Sequence, residues 1–132
     1  MAKSDKDHAL LMLEMAKLDH QALTHMLDAK SFSEEIFGFH AQQSIEKGLK
    51  AWIANKGLEY PKSHDVSVLL RILQDHGEDL SGFSRLEDYT IFAVQYRYEA
   101  YDKSEEPLDR PEVINVTGAL LARVTSVLAA GG

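Results

Sequence analysis

No cysteine occurs in the chain, which excludes a disulfide scaffold, a thiolate zinc knuckle and a cysteine nucleophile. Apolar residues nowhere run on for the ~20 positions that a bilayer-crossing helix needs. The amino terminus, Met1-Ala2-Lys3-Ser4-Asp5-Lys6-Asp7-His8, carries charges where a secretory signal would carry its apolar segment. Both absences lead us to expect a soluble, cytoplasmic protein without membrane contact. Positive charge is also short. Fourteen Lys and Arg against 21 Asp and Glu leave a formal charge of -7, the wrong sign for gripping nucleic acid through its phosphates alone. A small basic pocket remains compatible with that balance.

What is present is ordinary for a globular protein: 45% hydrophobic and 27% charged residues, which excludes disordered and low-complexity classes. The 132 residues suffice for one domain, 1–132, with its own core. Six histidines in a chain without cysteine are the main candidates for proton transfer or ligation.

Apolar residues recur at helical spacing throughout, and no alternating run of five or more residues suggests a strand. A first helix is expected over about Asp7 to Ala29, opened by the pair Ser4 and Asp7 and burying Leu11, Met15, Leu18, Ala22 and Met26. Ser33 is placed to cap a second helix, with Glu34 and Glu35 in its first turn and Gly57 as its stop. Its face Ala41, Ser44, Gly48, Ala51 is all small and admits close approach of another helix. A shorter helix after Ser63 carries Val66, Leu69, Leu70 and Leu73 and ends at Gly77. Ser84 and Glu87 form a capping box for a fourth, whose stripe Leu86, Tyr89, Ala93, Tyr96, Ala100 contains Arg97. Residues 102–110 read as an acidic loop broken by Pro107, and Pro111 suits the first turn of a last helix bearing Val113, Val116, Leu120, Val124 and Val127. The expectation is an all-α, single up-and-down bundle of about five helices.

The run Phe39-His40-Ala41-Gln42-Gln43-Ser44-Ile45-Glu46-Lys47-Gly48-Leu49-Lys50-Ala51, then Tyr60-Pro61-Lys62-Ser63-His64-Asp65, then Tyr96-Arg97-Tyr98, resembles the HEPN domain family in content and order. The resemblance covers nearly the whole chain and implies that family's small helical bundle. In many HEPN domains two copies pair, and an arginine followed after four to six residues by a histidine makes a metal-independent ribonuclease site. Arg97 is the arginine in that place, but Asp102, Lys103 and Ser104 stand where the histidine would be, and no histidine follows His76. The resemblance therefore implies a nucleotide-binding or assembly module, a homodimer, and a minimal nucleotidyltransferase as partner in a toxin-antitoxin-like pair. The alternative is a ribonuclease with a non-standard site built on His64 and Arg97.

The candidate ligand site is Lys62, His64 and Arg97, a local basic pocket suited to a phosphate or nucleotide, joined by Glu46 and Lys47 from the run of residues 42–47 that carries the resemblance, which extends the implied ligand to RNA. Arg97 on an apolar stripe must meet either a carboxylate such as Glu46 or Asp65, or a phosphate, because an unpaired buried guanidinium is costly. His64 precedes a helix start, where backbone N–H groups can hold an anion, and Lys62 adds a point charge. Gln42, Glu46 and Lys50 at i, i+4, i+8 read as a solvated row, with Gln43 and Lys47 the row beside it. The tyrosines at 89, 96, 98 and 101 can stack a base, though the near-helical spacing of Tyr89 and Tyr96 favours a core face for those two. No residue spacing suggests a metal or cofactor: His20 and His25 are five apart rather than three or four.

Overall fold

The computed structural model describes residues 3–89 and 108–130. Among them lie four α-helices and one 3-10 turn: α1 Lys3–Thr24, α2 Glu34–Asn55, α3 Val66–Asp75, the 3-10 turn Ser84–Tyr89, and α4 Arg110–Ala130. No strand occurs among the described residues. The all-α bundle is as expected, with four α-helices among the described residues against about five expected for the whole chain. The capping box at Ser84 opens a six-residue 3-10 turn, tightened by the bond from Leu86 N to Phe83 O. The rest of the expected fourth helix, with Arg97, Tyr96, Tyr98 and Tyr101, lies outside the described residues.

Helix ends follow the local chemistry. Ser33 accepts the Ile36 N–H at 3.2 Å, and Glu34 and Glu35 sit at the positive end of α2. Gly57 and Gly77 take φ of 75° and 88° just beyond α2 and α3, a conformation that side chains resist. Asp109 accepts the Glu112 N–H and so caps α4, which begins one residue before Pro111.

Contacts at the two ends set the directions. At one end Arg110, opening α4, bonds Glu34 at the start of α2 and the Met26 carbonyl just beyond α1. At the other, Lys6 of α1 bonds Asn55 of α2 and the Leu128 carbonyl of α4. Thus α1 runs antiparallel to both α2 and α4, which are parallel to each other. α3 packs on α2, and the 3-10 turn packs on both.

The small face of α2 is buried as expected, and it explains a correction on α1. The buried stripe of α1 is Ala9, Leu13, Ala16 and Leu23, while Leu11, Met15 and Leu18 are exposed. α1 carries two apolar stripes, and the one containing alanines turns inward. Ala16 against Ser44 brings the backbones close enough for Ser44 Oγ to donate to the Ala16 carbonyl at 2.8 Å. Leucines there would hold the helices apart. α1 also begins earlier than expected, so Ser4 lies inside it. The chain leaves the helix through bonds from His25 and Met26 to the carbonyls of Ala22 and Leu23.

Trp52, Phe37, Ile45, Leu49 and Leu120 are fully buried at the centre, each contributing about 2 kcal/mol by removal from water. By length and composition α4 could cross a membrane. Its Val113, Leu120, Leu121, Val124 and Leu128 are instead buried against the other helices, as in a core helix.

Candidate functional site

The site is built on one face of α2 and the loop that follows it. Glu46, in the second half of α2, is buried. A carboxylate there must be compensated, and two groups do so. Lys50, one turn on, donates to Oε2 at 3.0 Å. His64 places Nδ1 2.9 Å from Oε1 and 3.1 Å from Oε2. Since a carboxylate only accepts, Nδ1 carries a proton, and Nε2 remains on a ring half exposed to solvent.

Gln42, one turn before Glu46, is fully buried and donates from Nε2 to the His64 carbonyl at 2.8 Å. A carbonyl cannot donate, so this contact fixes the amide orientation. It leaves Gln42 Oε1 buried without a hydrogen-bond partner. The backbone and the ring of His64 are thus both tethered to α2, through two residues four apart on one helical row.

Tyr60, in the same loop, closes the corner. Lys50 Nζ lies 5.3 Å from the centre of its ring, and its hydroxyl is 2.7 Å from His8 Nε2 on α1. The Tyr60 and His8 rings are within 15° of parallel, with centres 6.1 Å apart, and meet through that hydroxyl contact. Burial, and after it the negative charge of Glu46, hold the Tyr60 phenol above its ordinary value of 10.0. It stays protonated and available as a donor near neutrality.

Of the residues expected from the sequence, Glu46 and His64 are brought together. Lys62 is exposed on the loop two residues before His64. Lys47 points elsewhere: its ammonium bonds Asp19 of α1 at 2.8 Å, beside His40 on the same carboxylate at 3.4 Å. Arg97 lies outside the described residues.

Two details of the expectation are overturned. The row Gln42, Glu46, Lys50 is not solvated, because Gln42 and Glu46 are buried. The N-terminus of α3 is not open at Ser67, whose N–H is taken by the Asp65 side chain at 3.0 Å. Tyr60, His8 and Gln42 join the site without having been expected there. The usable signal for Gln42 is the i, i+4, i+8 polar row running beside a small-residue face on α2, whereas no spacing marks His8 or Tyr60.

The corner can do two things chemically. A histidine whose Nδ1 is fixed by a buried carboxylate presents Nε2 in a set direction, as an acceptor when neutral and a donor when protonated. The neighbouring ammonium and phenol supply donors and an aromatic face. An anion with an attached planar group fits that set.

A family model described as HEPN domain matches residues 9–127 of the chain. No curated protein and no solved structure matches it.

Proposed function

The chain belongs to the HEPN domain family, and on that premise we propose that it is a binding module that holds the phosphate of a nucleotide or RNA end at the His64 corner. The observation that carries this reading is the half-exposed His64 ring tethered through Nδ1 to buried Glu46. Protonated, Nε2 donates to a phosphate oxygen; Lys62 on the same loop adds charge, and Tyr60 offers a ring face to a base. The overall charge of -7 restricts binding to such a local pocket. Within this reading the module acts in the cytoplasm beside a minimal nucleotidyltransferase, in a toxin-antitoxin-like pair. That part is supported by the family resemblance and by Asp102, Lys103 and Ser104 standing where a ribonuclease histidine would be.

Titration of the full chain with ATP, GTP and short 5′-phosphorylated RNA, followed by calorimetry and by the His64 ring resonances, tests the reading. Binding is expected, with His64→Ala weakening it about tenfold, equivalent to ~1.4 kcal/mol. No heat at millimolar ligand, or binding indifferent to His64→Ala, would overturn it.

The Glu46–His64 pair also favours a second reading, a ribonuclease in which His64 Nε2 moves the proton. Arg97 would be the cation of that site. Cleavage of RNA by the purified chain, lost in His64→Ala, supports it; intact RNA after prolonged incubation rejects it.

A further inference from the structure

The tethers on His64 confine any change in its charge to one atom. Nδ1 donates to Glu46, with Oε1 at 2.9 Å and Oε2 at 3.1 Å, so that nitrogen keeps its proton whether the ring is neutral or charged. The backbone of the same residue is held by Gln42, whose Nε2 donates to the His64 carbonyl at 2.8 Å. Neither bond has to break when the ring takes up a second proton. That proton therefore goes to Nε2, on a side chain half exposed to solvent. With the ring neutral, Nε2 turns a lone pair toward an incoming phosphate oxygen and repels it; with the ring protonated, it turns a charged N–H and binds it.

Resting on the phosphate-binding reading of this corner, we propose that binding there is gated by pH: each phosphate held brings one proton onto His64 Nε2, so the site fills on acidification and empties above about pH 8. The charged and titratable groups around the ring are few. On α2 they are Glu46 and Lys50, bonded to each other at 3.0 Å. The loop contributes Tyr60, Lys62 and Asp65, the last accepting from Ser67 N and Oγ. α1 contributes His8, whose Nε2 is 2.7 Å from the Tyr60 hydroxyl. Beyond Asp65 on α3, Arg71 lines the same shallow groove. Carboxylates titrate below the range of about pH 5 to 8, and ammonium, phenol and guanidinium groups above it, which leaves the two imidazoles. His8 already has its Nε2 on Tyr60, so the proton is assigned to His64. A phosphate monoester gives up its own second proton near pH ~6, so at higher pH the proton taken up comes from solvent and not from the ligand.

Calorimetric titration of the full chain with short 5′-phosphorylated RNA near pH ~8, in two buffers of different ionisation heat, reads that proton directly. The expected result is uptake of close to one proton per RNA bound, with affinity falling about tenfold between pH ~7.5 and ~8.5. On binding, the His64 Nε2 nitrogen resonance should move from its lone-pair position to its N–H position. His64→Gln presents an N–H that does not titrate; it should bind with the same affinity across this range and take up no proton. His8→Gln should keep the uptake, and circular dichroism shows whether each variant retains its helices. Binding heat that is the same in both buffers for the wild type overturns the gating and leaves the phosphate reading standing. Uptake that survives in a folded His64→Gln, or is lost in a folded His8→Gln, places the proton elsewhere and overturns it too. Absence of binding throughout pH ~6 to ~8.5 overturns the phosphate reading and the gating together.

Discussion

Tyr60 shows how a single residue's environment becomes measurable. Its phenol is held above 10.0, chiefly by burial and then by Glu46. As pH rises, the unfolded chain therefore loses this proton first, and the folded state binds more protons. The stability tied to the group is whole below about pH 10 and is lost as pH climbs through the folded value. Urea midpoints measured from about pH 9 to 11 should fall more steeply for the wild type than for Tyr60→Phe. Equal slopes would mean that Tyr60 ionises as freely in the fold as outside it. His64 differs from Tyr60 in being legible beforehand. Its place between Ser63 and Asp65 marks it in the sequence, whereas its partner Glu46 reads there as an ordinary helix pair with Lys50, a bond the structure retains. A pair eighteen residues apart becomes visible only once the loop after α2 folds back on the helix.

At the scale of elements, Arg110 does more than any other described side chain to fix the bundle. It is buried, stacks 4.9 Å over the Phe37 ring, and donates to Glu34, the Met26 carbonyl and the Phe32 carbonyl. Those partners belong to α2, to the residues after α1 and to the approach to α2, so one guanidinium ties three helix ends together. Arg110→Met leaves Glu34 Oε1 and two carbonyls without their donor, Glu34 Oε2 keeping the Leu108 N–H, and should cost about 3–5 kcal/mol in urea unfolding. Arg110→Lys should recover less than half of that, since one ammonium cannot span the set. In the sequence this residue is only the end of an acidic loop, because nothing local shows three distant acceptors converging. Gly48 illustrates the opposite case, where the sequence is informative. A Cβ at that position would lie 2.8 Å from Leu121 Cδ2, the free end of a flexible side chain. Gly48→Ala should therefore change stability by less than about 1 kcal/mol, the helical gain offsetting the shift, while Gly48→Leu should lose about 2 kcal/mol or more by overpacking. Thermal melts of the two variants separate these outcomes.

For the whole molecule, charge and apolar surface are both unevenly placed. Residues 1–66 hold 8 basic and 10 acidic groups and residues 67–132 hold 6 and 11, so the second half carries most of the net negative charge. Lys62 and His64, the groups proposed to bind phosphate, fall in the less acidic half. The amino-acid sequence determined the helical class, the caps at Ser33, Gly57 and Gly77, and the small face of α2, because each depends on spacing and backbone preference within a few residues. It also supplied the pattern that a HEPN domain model matches over residues 9–127. Tertiary structure decided which of two apolar stripes on α1 is core, since both are hydrophobic and the close approach of Ala16 to Ser44 on the small face of α2 turns one of them inward. It decided likewise that Gln42 and Glu46 are buried and that Lys47 turns to Asp19, because burial is a property of what packs over a residue and no spacing along one helix contains it.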